Sequence, residues 1–421
     1  MKLTISVLKA DIGSPGGHTK PADRVLEAVR ATVRRAQGDY VIDHLVTFTG
    51  DDIAIIMTHD RGVNDPRIHM LAWSAFQEGT AVAQQRGDYA AGQDLLVDAP
   101  SGNIRGAGPA VAEIEFEHKL ADERPAESVM VFTADKCGPG AYNLPVYLAF
   151  ADPMYCGGLI LKPEMSKGFR FRIMDMDYAA SDRLIDLVTP EEMYSVVALL
   201  RDETRFAIEA VFSRAYPEQQ VAAISTQRLH NIAGKYTGKD DPVAIIRTQG
   251  IFPAPEEILM PWATVVPFVT GDCRGSHVMP ITPYPINSPV RTPYCQPIVS
   301  AIGFSIDREG RFSEETVDFF ADPYWQDVRR VAHEKGIMMR QQGWFGVAMA
   351  NNAELSYTGL TKIYEALEQG KRFYTREHEI AGVPVDGRPV TRDRRRLRCR
   401  SLGREPTRPW KRGRVGVVWV G

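Results

Sequence analysis

Acidic residues stand beside glycines at four places where an apolar, strand-like segment begins or ends. The places are Asp11 before Gly13–His18, Gly50-Asp51-Asp52, Asp135-Lys136, and Gly238-Lys239-Asp240-Asp241. Carboxylates at the end of an apolar strand repel one another and are costly to bury unless cations neutralise them. Any one of these groups alone would also suit a solvated turn, because Asp and Gly favour turns. Together they predict an oxygen-rich site for several Mg²⁺ ions, to which His18 could add a ligand or a phosphate contact.

Such a site suits phosphoryl chemistry. Mg²⁺ prefers carboxylates together with phosphate oxygens, polarises the phosphoryl group and activates water for attack. Two glycine-bearing segments could bind phosphate through backbone N–H groups or an arginine, although plain surface loops would have similar sequences. These segments are residues 101–108 (Ser-Gly-Asn-Ile-Arg-Gly-Ala-Gly) and 274–277 (Arg-Gly-Ser-His).

Lys239 lies between a glycine and two carboxylates, and two roles are open to it. It could be the counter-ion of Asp240 and Asp241. It could instead be a Schiff-base nucleophile, which must lose its proton before the amine attacks a carbonyl. Mg²⁺ bound to the two aspartates would cancel the negative charge that otherwise keeps the ammonium form. Tyr236, three residues earlier, could then exchange protons with the adduct.

The elements that must position these residues alternate irregularly between short apolar strands and amphipathic helices. Strands are predicted at residues 3–8, 53–57, 129–132, 221–224, 243–246 and 299–306. Helices are predicted at residues 21–37, 66–85, 189–214, 315–342 and 354–373, the third with a capping box at its start. The proline-rich stretch 252–297 predicts an irregular segment that is functional or wraps a neighbouring subunit. This order favours a layered α/β or α+β domain and argues against a TIM barrel.

The composition is that of an ordinary globular chain. Of the 421 residues, 44% are hydrophobic and 24% charged, and 50 Lys+Arg against 53 Asp+Glu give a net charge of −3. This balance argues against nucleic-acid or membrane-surface binding by the whole chain, and no apolar run is long enough to span a bilayer. Five cysteines without a C-x-x-C pair favour a reducing cytoplasm.

The positive charge is concentrated near the end of the chain, where residues 388–414 are crowded with arginine. Residues 375–421 are therefore predicted to be a basic tail that is peripheral or disordered and takes no part in the chemistry. The part that precedes the tail is correspondingly more acidic than the overall charge suggests.

Several longer segments are matched by one known family. They are residues 5–13, 50–52, 89–96, 101–103, 134–136, 139–145, 232–242 and 274–277. Through them the chain resembles the archaeal-type fructose-1,6-bisphosphate aldolase/phosphatases, the class V bisphosphatases, over roughly residues 1–374. The resemblance implies that these residues form a single large catalytic domain, a layered α-β-β-α sandwich, and that the protein assembles as a homo-octamer.

The resemblance also implies a bifunctional enzyme of gluconeogenesis. Members of the family condense dihydroxyacetone phosphate with glyceraldehyde 3-phosphate and then hydrolyse the 1-phosphate of fructose 1,6-bisphosphate to give fructose 6-phosphate. In this chain Lys239 would form the Schiff base, and Tyr236 would donate and accept protons. The Mg²⁺ ligands would be Asp11, His18, Asp51, Asp52, Gln93, Asp135, Asp240 and Asp241. The substrate contacts would be His18, Tyr89, Gly102, Asn103, Lys136, Gln249, Arg274 and Tyr357.

The chain departs from the family pattern in two places. No Asp occurs between Asp272 and Asp307, where the family has a substrate-contacting Asp, and Gly250 stands where some relatives have His. These departures leave open a second hypothesis, a phosphatase whose aldolase activity is weakened. A third hypothesis is a non-catalytic sugar-phosphate-binding protein. The retained metal-ligand positions and Lys239 disfavour it, because binding alone requires neither.

Overall fold

The computed structural model describes residues 2–95, 108–117, 126–176, 182–226, 240–272, 276–290, 296–341 and 360–376. All of these described residues belong to one compact unit. Apart from its first two residues, the predicted basic tail lies outside the described ranges. None of the described helices is long and apolar enough to cross a membrane.

The helices and strands follow the chain in a mixed order. The strands are β1 (Lys2–Asp11), β2 (Asp43–Thr49), β3 (Asp52–His59), β4 (Ala110–Glu117), β5 (Glu127–Asp135), β6 (Phe169–Asp175), β7 (Asp182–Val188), β8 (Phe206–Ser213), β9 (Gln220–Ile224), β10 (Val243–Thr248), β11 (Phe268–Asp272), β12 (Ser276–Pro280), β13 (Thr282–Pro283), β14 (Ile298–Ile306), β15 (Val317–Asp318) and β16 (Tyr374–Arg376). The helices are α1 (Asp23–Arg34), α2 (Pro66–Arg86), α3 (Asn143–Ala151), α4 (Gly158–Leu161), α5 (Met193–Leu200), α6 (Pro255–Thr264), α7 (Trp325–Arg340) and α8 (Leu360–Gln369). All six predicted strands are confirmed, and they fall within β1, β3, β5, β9, β10 and β14.

Two stacked sheets form the middle of the molecule. The smaller sheet is antiparallel, with the strand order β2-β3-β1-β4. The larger sheet has the order β13-β14-β5-β10-β9-β8-β6-β7-β16, with β15 paired to β14, and only its short β13–β14 pair is parallel among the described strands. Strands β11 and β12 form a separate hairpin.

Buried apolar clusters show how these sheets are layered. Side chains alternate between the two faces of a strand, so Ile5 and Val7 of β1 pack between the sheets while Leu8 and Ala10 face α1 and α2. The outer face of the larger sheet packs against α3, α5 and α6. Each central strand is therefore covered on both faces, which explains its nearly continuous apolar sequence. The predicted layered α-β-β-α fold is confirmed.

The predicted helices at residues 21–37 and 66–85 are confirmed as α1 and α2, but the one predicted at 189–214 is wrong in extent. Only Met193–Leu200 is helical, and the alternating aromatic and β-branched residues of Phe206–Ser213 form β8. The capping box is also wrong, because the Thr189 hydroxyl donates to the Phe169 carbonyl at 3.2 Å instead of capping a helix.

Two further segments differ from the sequence prediction. The helix expected over residues 315–342 begins only at Trp325, and Val317–Asp318 pairs with β14 as β15. The proline-rich stretch 252–297 is more regular than predicted, since it contains α6 and three strands. Pro255 stands in the first turn of α6, where a missing N–H costs no helical hydrogen bond. The described part of the helix predicted over residues 354–373 is helical over residues 360–369, and it ends four residues earlier than predicted.

Candidate active site

The two sheets bring their acidic strand ends to one place. Asp11 ends β1 and pairs with Asp52, which begins β3. Asp135 ends β5, and Asp241 lies just before β10, the neighbouring strand of the larger sheet. The Asp51 N–H donates to Asp135 Oδ2 at 3.4 Å and so joins the β2–β3 turn to the larger sheet. Residues far apart in the sequence thus share one buried edge of the sandwich.

The first group in this site consists of Asp11, His18 and Asp51. One possible ligand atom from each lies within 4.8 Å of the others. His18 Nδ1 is 2.8 Å from Asp51 Oδ2 and 3.4 Å from Asp11 Oδ2. The His18 ring also meets the Tyr89 ring edge to face, with 5.1 Å between the ring centroids. Because residues 14 and 89 exchange two backbone hydrogen bonds of 3.0 Å, the His18 loop is held beside Tyr89.

The second group consists of Asp52, Asp135 and Asp241, whose possible ligand atoms also lie within 4.8 Å of one another. Asp241 adopts a left-handed backbone conformation with φ of 48°. Its Oδ1 accepts the Cys137 N–H at 2.7 Å, and its own N–H donates to the Cys137 carbonyl at 2.7 Å. This reciprocal pair fixes the Asp241 carboxylate against the backbone that follows Asp135.

Two buried lysines partly neutralise these carboxylates. Lys136 Nζ donates to Asp51 Oδ1 at 2.5 Å and to Asp135 Oδ1 at 2.7 Å, which links the first group to the second. Lys9 Nζ donates to Asp52. Sequence reasoning missed Lys9, although it lies two positions before Asp11 in the same predicted strand, and a buried lysine needs a carboxylate partner.

The pKa values show that negative charge is crowded here. Burial, together with the charge of Asp51, raises the pKa of Asp11 to about 6 and that of Asp135 to about 8. Hydrogen bonds that the His18 ring donates to the carboxylates of Asp11 and Asp51 raise the pKa of His18 to about 10. Buried carboxylates that exceed the neighbouring cations, with one imidazole, form a donor set that fits a hard divalent cation. The site therefore fits a divalent metal ion.

Close contacts around the site explain why position 50 is a glycine and position 94 an aspartate. A Cβ atom on Gly50, which has φ of 61°, would lie 1.5 Å from Asp135 Oδ2, so only glycine fits this turn. Buried Asp94 accepts the Asp11 N–H at 3.0 Å and the Gly108 N–H at 3.2 Å, and it thereby fixes the end of β1. Sequence reasoning passed over Asp94, although it stands next to Gln93 in a segment that carries the family resemblance.

The other predicted site residues are not members of the two groups. Gln93 begins a short 3₁₀ turn, and Asp240, next to Asp241 in the sequence, is buried. Gln249 follows β10 at the end opposite Asp241, so the described chain does not bring it to these carboxylates. Six predicted residues lie outside the described ranges: Gly102, Asn103, Tyr236, Lys239, Arg274 and Tyr357.

Comparison with known proteins points to one family over nearly the whole described chain. A family model described as fructose-1,6-bisphosphatase matches residues 2–373. A Thermus thermophilus protein named fructose-1,6-bisphosphate aldolase/phosphatase is 54% identical over 369 residues, which cover 88% of this chain and 99% of the relative.

Two further proteins with the same name are also similar. The Cenarchaeum symbiosum protein is 44% identical over 357 residues, covering 85% of this chain and 91% of the relative. The Methanocaldococcus jannaschii protein is 42% identical over 369 residues, covering 87% and 92% respectively. The resemblance carried by the sequence segments is confirmed, and this chain belongs to the fructose-1,6-bisphosphate aldolase/phosphatase family.

Proposed function

We propose that this chain is a bifunctional, cytoplasmic enzyme of gluconeogenesis that makes fructose 1,6-bisphosphate and then removes its 1-phosphate. Its substrates would be dihydroxyacetone phosphate and glyceraldehyde 3-phosphate, and its final product fructose 6-phosphate. The main support is the pair of buried carboxylate groups at the ends of the two sheets, bridged by Lys136. The homo-octameric assembly implied by the family resemblance is part of the proposal.

The carboxylate groups would hold Mg²⁺, with Asp11, His18 and Asp51 at one position and Asp52, Asp135 and Asp241 at another. Gln93 and Asp240 are proposed as further ligands. Mg²⁺ would supply Lewis-acid activation of the phosphoryl group and of water. Because a hard cation prefers oxygen ligands that are fully ionised, its binding would remove the protons that burial favours on Asp11 and Asp135.

Lys136 and His18 are suited to orient the phosphate. Both side chains contact carboxylates of the proposed metal site, and each can donate hydrogen bonds to phosphate oxygens when cations satisfy those carboxylates. Tyr89 stacks edge to face on His18 and restricts the direction of its ring. The remaining proposed substrate contacts are Gly102, Asn103, Gln249, Arg274 and Tyr357.

Lys239 would carry the carbon–carbon bond-forming step. Its neutral amine would attack the ketone carbon of dihydroxyacetone phosphate and release water, giving an imine. After protonation on nitrogen, this imine would lose a proton from carbon to become an enamine. The enamine carbon would attack the aldehyde of glyceraldehyde 3-phosphate, and water would then release the product from Lys239. Tyr236 would transfer the protons of these steps. The same pocket would afterwards hydrolyse the 1-phosphate.

Borohydride trapping tests the Schiff-base half of the proposal. Reduction of the folded, Mg²⁺-loaded protein with dihydroxyacetone phosphate should leave a covalent adduct that peptide mass mapping places on Lys239. Lys239→Arg should show no adduct at that position, and the mapping should show Lys9 and Lys136 unmodified. Loss of the adduct in the wild type, with phosphate release retained, would contradict the aldolase half.

The second candidate function is a phosphatase with weakened aldolase activity. It is favoured by the two departures from the family pattern, the absence of an Asp between Asp272 and Asp307 and the glycine at position 250. A bifunctional enzyme should give the borohydride-trapped adduct on Lys239, whereas a phosphatase with weakened aldolase activity should give little of it. Both candidates should release phosphate. A non-catalytic sugar-phosphate-binding protein would give neither an adduct nor phosphate release.

A further inference from the structure

Glu203 is a polar residue outside the proposed metal and substrate positions, yet it makes two short contacts to one threonine. It lies between α5 and β8. Its Oε1 accepts the Thr270 N–H at 2.5 Å and the Thr270 hydroxyl at 2.7 Å. Burial raises the pKa of Glu203 to about 7, and the hydrogen bonds from Thr270 oppose that rise. The side chain is thus committed to holding Thr270, which lies in β11.

Thr270 in turn holds the backbone that follows β5. Its carbonyl oxygen accepts the Gly138 N–H at 2.6 Å. A Cβ atom on Gly138 would lie 3.0 Å from that oxygen, and one on Gly140 would lie 2.6 Å from Glu203 Cβ. The segment from Gly138 to Gly140 therefore passes closely between Thr270 and Glu203, and its glycines permit the approach.

The same backbone segment orients a carboxylate of the second metal-binding group. Cys137, directly before Gly138, donates its N–H to Asp241 Oδ1 and accepts the Asp241 N–H, both at 2.7 Å. Lys136, one residue earlier, contacts Asp51 and Asp135. An unbroken series of hydrogen bonds and peptide bonds thus runs from Glu203 through Thr270, Gly138 and Cys137 to the Asp241 carboxylate.

We propose that Glu203 is a positioning residue for the metal site. By holding Thr270 it fixes the backbone at Gly138, and this places the Cys137 N–H that orients Asp241 for a divalent cation. The inference rests on the proposed function, because it takes Asp241 as a metal ligand. Partners that orient metal ligands in this way typically change metal affinity by about 10-fold to 100-fold when they are removed.

The test is a calorimetric Mg²⁺ titration of the full-length protein and of three variants. Glu203→Ala should bind Mg²⁺ about tenfold more weakly than the wild type. Glu203→Gln should restore the affinity to within about twofold, because its amide oxygen still accepts from Thr270. Asp241→Ala, which removes the proposed ligand itself, should lose more affinity than Glu203→Ala. Thermal unfolding of each metal-free variant shows whether an affinity change reflects a general loss of structure.

The variants separate failure of this inference from failure of the proposed function. Wild-type affinity in Glu203→Ala, with reduced affinity in Asp241→Ala, would overturn the positioning role alone. Wild-type affinity in Asp241→Ala would overturn the metal assignment on which it rests. An equally large loss in Glu203→Gln would also overturn the inference, because the acceptor oxygen would then be irrelevant. If Glu203→Ala does not fold, Thr270→Val provides the test, because it removes the hydroxyl that donates to Glu203 and keeps the backbone N–H that does so. A loss of Mg²⁺ affinity smaller than about tenfold would support the positioning role, and unchanged affinity would overturn it.

Discussion

At the scale of single residues, Ser6, His59 and Glu113 show how hydrogen-bond direction decides what a group of polar side chains can do. The backbone N–H of Arg61 donates to His59 Nδ1 at 3.2 Å, so neutral His59 carries its proton on Nε2. That proton points to Ser6 Oγ, 2.8 Å away, and the Ser6 hydroxyl donates to Glu113 Oε1 at 2.6 Å. His59 therefore cannot take the serine proton, and the group is a structural network rather than a nucleophile with its base.

His59 also makes the fold sensitive to acid. Burial lowers the pKa of His59 below its usual 6.5, and His69 lowers it further, while Glu113, Asp65 and Asp60 oppose the change. The folded state therefore binds fewer protons than the unfolded chain below about pH 6.5, and stability contributed by neutral His59 falls as pH decreases. His59→Asn keeps an acceptor for the Arg61 N–H but does not titrate.

We expect the wild type to lose more stability between pH 7.5 and pH 5.5 than His59→Asn, by up to about 1.4 kcal/mol for each pH unit. Urea unfolding midpoints at the two pH values, measured on both proteins, provide the comparison. An equal loss of stability in both proteins would show that His59 does not titrate as inferred.

At the scale of elements, the β2–β3 turn is the feature that joins the small sheet to the acidic site. Gly50 has φ of 61° and lies against Asp135 Oδ2. Gly38 offers a matched control, because it has φ of 86° but no described atom within 4 Å of its Cβ position. Alanine at either position incurs backbone strain of about 1–3 kcal/mol. Only at Gly50 would it also displace a proposed metal ligand.

Gly50→Ala should therefore lose Mg²⁺-dependent phosphate release, whereas Gly38→Ala should lose stability and keep that activity. Thermal unfolding of both variants measures the effect of backbone strain, and phosphate release measures the effect of displacing the Asp135 carboxylate. Full activity in a folded Gly50→Ala variant would contradict the position given to Asp135.

Helices and strands whose apolar residues recur with a clear period could be predicted from the sequence. Strands that form because they pair with distant strands could not. The predicted helix at 66–85 matches α2 because Asp65 caps it and Gly87 ends it with φ of 72°. Residues 206–213 were expected to continue a helix, yet β8 forms because it pairs with both β6 and β9. The 189–214 pattern gave no sign of that pairing, since strand partners lie far apart in the sequence.

The candidate site shows the same division between what residue types indicate and what the fold decides. Acidic residues at strand ends predicted the carboxylates that meet at one edge of the sandwich. Their arrangement into two groups bridged by Lys136 depends on how the sheets stack, which the sequence does not reveal. Lys9 and Asp94 were missed for the same reason, because only the fold shows which carboxylate or N–H each one meets.

At the scale of the whole molecule, the described sandwich has buried charge at both ends of its strands, and carboxylates outnumber cations at the end that carries the proposed metal site. β5 illustrates this division, because both of its terminal residues, Glu127 and Asp135, are buried carboxylates. Glu127 pairs with Arg247 Nε at 3.0 Å, whereas Asp135 meets Lys136 and the carboxylates of the proposed metal site. The two ends of one strand therefore provide a matched pair of substitutions for the central claim.

The most direct measurement is phosphate release from fructose 1,6-bisphosphate as a function of Mg²⁺ concentration, in the wild type, Asp135→Asn and Glu127→Gln. Asp135→Asn should lower Mg²⁺-dependent release by at least the roughly 10-fold to 100-fold that is typical when a residue orienting a metal ligand is lost, because it weakens a proposed ligand itself. Glu127→Gln, which breaks a buried ion pair, should lower stability but keep the wild-type dependence on Mg²⁺. Wild-type release by Asp135→Asn at low Mg²⁺ would contradict the assignment of this buried acidic site as the phosphatase centre.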